Sequence, residues 1–364
     1  MYKTEKLDFA AGSRVPEKRI LSPRIPPVTR LAVGSLTVGP LQANLPADRA
    51  GEVLAYAFDR GINFLDTAQY YRNYEHIRAG LKKCRRPEDV VISSKSYCYD
   101  RAGAISAVEE ARKALDRDRI DIFMLHEQES IHTLRGHKEA LDCLFELREK
   151  GIIGAVGIST HHIAAVEGAL LLHEEGTPLD VVHPLFNKAG IGIADGTAAE
   201  MENALTRLHA VGCGIFGMKA LGGGHLYKNA GEAFDFVLSK PFIDSVAVGM
   251  QSEAEVDANI AYFTDGAFPE ASVHQLKKQN RQLRIEEYCE ACGNCVKRCP
   301  QNALVIGEIQ NEEEDNPYDF SGDFMEMAEI PSNTIRKRAQ VDMDKCVLCG
   351  YCTAVCPVFA LKVY

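Results

Sequence analysis

The sequence predicts an α/β protein: a (β/α)8 TIM barrel followed by a small C-terminal α+β domain. Three observations carry this. Between about Val28 and Asn259, eight short apolar runs alternate with amphipathic stretches. The length they occupy suits the roughly 250 residues of such a barrel. The last quarter of the 364-residue chain holds eight of its twelve cysteines, in two runs of identical spacing. The domains read as an N-terminal extension (1–27), a barrel (28–275) and a cysteine-rich domain (276–364) with an acidic loop at 307–330.

The eight runs are TRLAVGS, INFLD, DVVISSK, IDIFMLH, IIGAVGIS, LDVVHPLF, CGIFGMK and FIDSVAVG. Each is short and rich in Val, Ile and Leu, as parallel strands buried on both faces are. Between them, ADRAGEVLAYAFDRG, AISAVEEARKALDRD and HKEALDCLFELREKG repeat apolar residues at three- and four-residue spacing, and two of them end in Gly, as helices do. Eight strands alternating with helices favour a closed barrel. An open doubly wound sheet is the competitor, but no GxGxxG follows the first strand. After Asn259, PEASVHQLKKQNRQLRIEEY (269–288) reads as one helix. Gly307 to Ile330 holds nine acidic residues and no Lys or Arg, and reads as an exposed loop.

A formal charge of −10 disfavours nucleic acid and anionic membrane as partners. The basic stretch IRKRA (335–339) is short and reads as a solvated loop. No apolar run approaches the roughly 20 residues that span a bilayer. The polar N-terminus has no apolar core of a secretory signal. Reduced thiols in a cytoplasm are therefore expected rather than a disulfide framework.

Active sites of such barrels are built at the C-terminal ends of the strands. The second apolar run ends in Asp66, the third in Lys95, the fourth in His126 and the fifth in Ser159. GINFLDTAQYY (Gly61 to Tyr71), ISSKS, DIFMLH and AVGIS, with NYEHIRAGL after Tyr71, together resemble the aldo-keto reductase family over roughly residues 28–262. The resemblance implies a tetrad of Asp66, Tyr71, Lys95 and His126, acting on a small carbonyl or alcohol substrate. Hydride arrival at a carbonyl carbon leaves charge on its oxygen, so Tyr71 is expected to supply a proton. An ammonium at Lys95 is expected to lower the phenol's pKa from about 10. Asp66 is expected to keep Lys95 charged, and His126 to orient the substrate oxygen. The bland alternative is a structural Asp66–Lys95 ion pair with Tyr71 as a wall residue.

The same resemblance implies a nicotinamide dinucleotide across the barrel mouth. Ser159, His183, Met218, Lys219, Leu221, Gly222, Gly249, Ser252, Glu255 and Asn259 fall at its contact places. Three departures stand out. His183 replaces a Gln against the carboxamide, Thr160 replaces the Asn after Ser159, and Met218 replaces a ring-stacking aromatic. Many relatives grip a 2′-phosphate with a Lys and an Arg where this chain has Gly249 and Glu255. A carboxylate repels phosphate and accepts from a ribose hydroxyl, so NAD(H) is favoured over NADP(H). His161 and His162 invite a metal reading, but without further donors a loop-to-helix junction is the simpler one.

Each cysteine run reads C-x2-C-x2-C-x3-C-P, the spacing of bacterial two-cluster ferredoxins. Cys289, Cys292, Cys295 and Cys356 are expected to hold one [4Fe–4S] cluster, and Cys346, Cys349, Cys352 and Cys299 the second. Zinc prefers paired CxxC motifs and is the lesser reading. Cys84, Cys98, Cys143 and Cys213 are scattered and read as ordinary thiols. Three functional readings stay open. The clusters exchange electrons with the barrel's chemistry or a redox partner protein; or they only hold structure; or the barrel is a redox-sensing docking module without turnover.

Overall fold

The computed structural model describes residues 15–272, 282–309, 336–358 and 360–363. The chain divides into two compact units, 1–280 and 281–364.

In the first unit a hairpin of β1 (Lys18–Arg19) and β2 (Val28–Thr29) precedes eight parallel strands: β3 (Leu31–Gly34), β4 (Phe64–Asp66), β5 (Val91–Ser96), β6 (Ile120–Leu125), β7 (Ile153–Thr160), β8 (Val181–Pro184), β9 (Gly214–Met218) and β10 (Ser245–Gly249). They close as β10-β3-β4-β5-β6-β7-β8-β9. Six lie within the apolar runs read from the sequence, and β5 and β7 run one residue beyond theirs, to Ser96 and Thr160. Alternate residues separate two cores. Ala32, Phe64, Ile122, Met124 and Phe216 fill the barrel interior. Leu31, Val33, Leu65, Phe123 and Ile158 face outward into the layer shared with the helices.

That helical layer is α1 (Ala47–Asp59), α2 (Tyr74–Lys83), α3 (Arg101–Leu115), α4 (Ile131–Gly136), α5 (Lys138–Glu149), α6 (Ile163–Glu174), α7 (Ala198–Ala210), α8 (Ala230–Leu238) and α9 (Glu253–Asp265). Side-chain caps start several of them: Asp100 accepts from the Gly103 N–H, and Thr197 and Glu200 form a reciprocal box.

The segment before Val28 is not a mere extension from Lys18 onward. Leu21 and Ile25 are buried in the barrel's interior cluster, closing its N-terminal floor. A Cβ on Gly214, the first residue of β9, would lie 1.8 Å from the Leu21 carbonyl oxygen, so only glycine lets the floor seat there.

In the second unit β11 (Leu283–Ile285) pairs antiparallel with β14 (Leu361–Val363), and β12 (Leu304–Ile309) with β13 (Arg336–Val341). Three expectations are corrected here. Leu283–Ile285 is strand rather than the end of a helix, because Leu283 enters the small core while Arg284 faces solvent, a two-residue alternation. Residues 273–281 of that expected helix lie outside the described residues. The acidic loop cannot start at Gly307, since Gly307–Ile309 are paired in β12; residues 310–330 lie outside the described residues. The basic IRKRA stretch is not a solvated loop: from Arg336 it forms β13, with Ala339 buried and Lys337 exposed. Among the described residues, no helix is long and apolar enough to cross a membrane.

Candidate active site

The ends of β4, β5 and β6 bring Asp66, Lys95 and His126 together. Lys95 is fully buried, and its ammonium donates to both Asp66 oxygens at 2.7 and 2.6 Å and to the Thr67 carbonyl at 2.7 Å. Tyr71 follows in the short turn Gln69–Tyr71, with the Lys95 nitrogen 4.9 Å from its ring centre. His126 lies edge-on to Tyr71 at 5.7 Å between centroids and is stacked on Tyr97 at 4.4 Å. The turn bearing Tyr71 is tied down by Asn73. Its amide donates to the Ser35 carbonyl and hydroxyl, and its oxygen accepts from Thr67 Oγ1 at 2.8 Å. The four expected residues thus share one cluster, and Asn73 joins them as a support that sequence reading passed over.

The electrostatics differ from expectation at one point. Burial alone would raise the Asp66 carboxyl, but Lys95 and His183 outweigh it and hold the group well below the usual carboxylate range. Burial draws Lys95 down, with Asp66 pulling back. Tyr71 is pushed well above its ordinary value by burial, then by the charges of Asp66 and Glu127. Lys95 was expected to acidify that phenol. Its three N–H bonds all go to Asp66 and Thr67, and the carboxylate answers its charge, so burial, Asp66 and Glu127 set the direction for Tyr71. His126 is held well below the ordinary imidazole value by burial and by Lys95, so it is neutral. Its Nδ1 is buried with no hydrogen-bond partner among the described residues. An unpaired lone pair is tolerated better than an unpaired N–H, which places the ring proton on Nε2.

The expected cofactor contacts scatter. Ser159 is buried and its hydroxyl accepts from the Glu127 N–H at 2.9 Å. His183 is not free to meet a carboxamide. Its Nδ1 donates to the Phe216 carbonyl at 2.6 Å, its Nε2 is 3.5 Å from Asp66, and its ring stacks on Phe216. The Met218 carbonyl accepts from the Phe186 N–H, and Thr160 hydrogen-bonds the Gln128 carbonyl inside the wall. The glycine turn was expected to point amides at a pyrophosphate. Instead the N–H groups of Gly222 and Gly224 close the loop's own turns on Lys219 and Leu221. Ser252 caps α9, and Glu255 accepts from the Gln251 N–H at 2.6 Å. Gly249 is exposed and Asn259 is buried on α9. The strand-end residues therefore fit carbonyl chemistry, while the expected grips on the rest of a dinucleotide are mostly engaged within the barrel.

His161 does not read as a metal ligand: the Lys219 nitrogen stands 3.2 Å from its Nε2, which an adjacent cation would repel. Cys84, Cys98, Cys143 and Cys213 are all buried thiols, with pKa values raised chiefly by burial.

The cysteine runs form two matched nests in the second unit. Ala291 and Gly293 in the first, and Leu348 and Gly350 in the second, have positive φ, at 53°, 78°, 53° and 75°. Such backbone turns N–H groups inward around a central anion. The Ala303 N–H donates to the Cys299 sulfur at 3.3 Å, and the Ala360 N–H to the Cys356 sulfur at 3.2 Å, equivalent bonds in the two repeats. Cys299, Cys346, Cys349 and Cys352 line one shared hollow. Cys295 feels the neighbouring charges of Cys289, Cys292 and Cys356; Cys346 and Cys349 both feel Cys299. Burial, then crowding by neighbours, pushes the Cys352 thiol up to about 12. Among the described residues, no group of three His, Cys, Asp or Glu is gathered as a single metal ion requires.

An acid, an amine and an imidazole at the strand ends of a closed (β/α)8 barrel, with a phenol in the turn beside them, are what the chain presents as a candidate site. Residues 30–236, more than half of the chain, match the aldo/keto reductase family, and the protein belongs to that family. Residues 288–360 match the 4Fe-4S dicluster domain. The chain is 24% identical over 279 residues to L-galactose dehydrogenase of Arabidopsis thaliana, covering 65% of this chain and 85% of that protein. It spans 50% to 60% of the length of several other curated relatives. The cysteine-rich end is 29% identical over 90 residues to NADH-quinone oxidoreductase subunit I 2 of Geobacter metallireducens, covering 25% of this chain and 52% of that one. A solved Pseudomonas aeruginosa structure assigned to the aldo-keto reductases superposes with a TM-score of 0.58 at 26% identity, covering 71% of this chain and 99% of that one.

Proposed function

We propose that the barrel interconverts a carbonyl and an alcohol using a nicotinamide cofactor, NAD(H) in preference to NADP(H), and that the two [4Fe–4S] clusters carry electrons to or from a redox partner. The observation that supports this most is the buried Asp66–Lys95 pair beneath Tyr71 and beside a neutral His126. The bound nicotinamide supplies or accepts the hydride. The chain's own part is to position the substrate oxygen and to move one proton. Tyr71, protonated at neutral pH, donates its hydroxyl proton as charge grows on that oxygen. His126 donates from Nε2 to the same oxygen and fixes its direction. Asp66 and the Thr67 carbonyl hold the Lys95 ammonium in place, 4.9 Å from the centre of the Tyr71 ring.

One observation favours a structural duty for the clusters as well. Cys295, Cys352 and Cys356 are themselves buried members of the second unit's small core. Reconstituting the clusters and recording their absorbance after adding NADH, with and without a carbonyl substrate, separates the duties. Bleaching by NADH is expected if electrons pass between the two chemistries. Spectra indifferent to NADH and substrate leave the structural duty, or a separate electron donor.

A further inference from the structure

His183, near the end of β8, is buried, and both of its ring nitrogens face acceptors. Nδ1 is 2.6 Å from the Phe216 carbonyl oxygen on β9, and Nε2 is 3.5 Å from Asp66 Oδ2 on β4. A carbonyl oxygen cannot donate, so the first contact requires a proton on Nδ1. In a neutral ring Nε2 would then turn its lone pair on a carboxylate, a repulsion between two buried groups. A second proton, on Nε2, makes the same contact attractive. Turning the ring over would put carbon at both acceptors. The ring is also clamped, stacked on Phe216 at 3.9 Å between centroids and 14° between planes. From the strands on either side it meets Phe216 on β9 and its register partner Ser159 on β7, neither of them charged. The charged and titratable groups around it are Asp66 on β4, Lys95 on β5, and His126 at the end of β6, with Tyr71, Glu127 and His161 beyond. Burial opposes the Asp66 charge, and Lys95 and then His183 outweigh it.

We propose that His183 is a positioning residue, a second cation that holds Asp66 and through it the Lys95 ammonium, and not a grip on the nicotinamide. The proposal rests on the carbonyl–alcohol reading above and adds a residue to it. Asp66 Oδ2 accepts from Lys95 at 2.6 Å and faces His183 as well, so the carboxylate is held from two sides. Lys95 in turn spends its donors on Asp66 and Thr67, so its place is only as fixed as that carboxylate. Two cations against one carboxylate leave the buried trio with one net positive charge. Such a charge is costly until something negative arrives. Reduction supplies it, as charge grows on the substrate oxygen that Tyr71 and His126 address, so the trio assists the transition state more than the ground state. The proton that moves is still that of Tyr71, and His183 keeps both of its own.

The test begins without substrate or nicotinamide. In the full-length, cluster-loaded protein carrying 15N-histidine, the His183 ring signals are assigned by their loss in His183→Gln. Protons on both ring nitrogens at pH 7 are expected; a neutral ring with an open Nε2 overturns the proposal. Kinetics then separate the two roles. Misplacing a group beside the reacting atoms costs up to roughly a hundredfold. His183→Leu, which removes both donors, is therefore expected to lower kcat for glyceraldehyde reduction about a hundredfold. His183→Gln, which keeps one donor without the charge, is expected to lose about tenfold. In both variants the dissociation constants of NADH and NADPH, read by fluorescence titration, should stay within about twofold of wild type. Cofactor binding weakened tenfold with kcat retained shows a grip on the nicotinamide and overturns the proposal. So does lowered stability with kcat per folded molecule unchanged. Should His183→Leu fail to fold, His183→Gln and the wild-type spectrum decide between them. If no carbonyl is turned over with either nicotinamide, the carbonyl–alcohol reading falls. The protons on the wild-type ring then still uphold or remove the His183–Asp66 contact.

Discussion

The two units are stabilised by different means. The barrel unit has a continuous apolar core on both faces of its strands, and the deeply buried Asp66–Lys95 ion pair sits at the strand ends. Among the described residues, the cysteine-rich unit has only Leu283, Ala303, Leu304, Ala339, Ala360 and Leu361 as buried apolar residues besides its cysteines. A domain this small seldom folds on such a core without a metal or a cross-link. The first unit thus buries a charged pair within a large apolar core, while the second gathers its cysteines where its apolar core is small.

The largest expected effect breaks that contrast directly. Removing iron with an oxidant and chelator should melt residues 281–364, since metal coordination can supply on the order of 10 kcal/mol of folding free energy. The barrel's own melting transition should stay unchanged. A single merged transition, seen by calorimetry before and after stripping, would show the two units to be one cooperative block. Next, Lys95→Met leaves Asp66 buried without its partner and should cost the barrel about 3–5 kcal/mol, read by urea denaturation. The same pair sets an acid limit. Asp66 has a depressed folded pKa, so it stabilises the barrel above its unfolded value of about 3.9. That contribution is lost as pH falls from there toward the folded value. In Lys95→Met this acid loss should shrink; an unaltered acid limb would mean the pair is not ionised.

Tyr71→Phe should lower turnover by about 10²–10⁴-fold while cofactor affinity holds; retained steady-state turnover would remove the acid assignment. With Tyr71 raised well above its ordinary value, carbonyl reduction should be level through neutral pH. Alcohol oxidation should climb as pH approaches and passes 10, measured as kcat in each direction. Oxidation already at its plateau near pH 7 would contradict the raised phenol. Smallest is the cofactor choice: Glu255 should favour NADH over NADPH by roughly tenfold, about 1.4 kcal/mol, and a strong NADPH preference would reverse the charge reasoning.

The same contrast explains what could be read beforehand. The barrel strands are continuous apolar runs because they are buried on both faces, so all eight were legible, as were the polar residues closing them. The cysteine spacing was legible because cluster geometry fixes it. Hydrogen-bond direction was not. Nothing in the letters says that Lys95 spends all its donors on Asp66 and Thr67, or that His183 turns to Phe216 and Asp66. Glu127 and Lys219 carried a faint signal, a charged residue one or two positions beyond a strand end, but their left-handed backbone is a tertiary imposition. Leu283–Ile285 was misread because three residues of strand depend on a partner almost eighty positions away.

The hairpin of β1 and β2 has an implication for biosynthesis. Arg19 is held by the carbonyl of Ile243, and the Leu21 carbonyl by the missing side chain of Gly214. The earliest-made residues described here thus wait for some of the latest-made parts of the barrel before they can dock. While the ribosome is still working, the nascent barrel has an open underside. A chaperone that shields apolar surface would have its longest opportunity there.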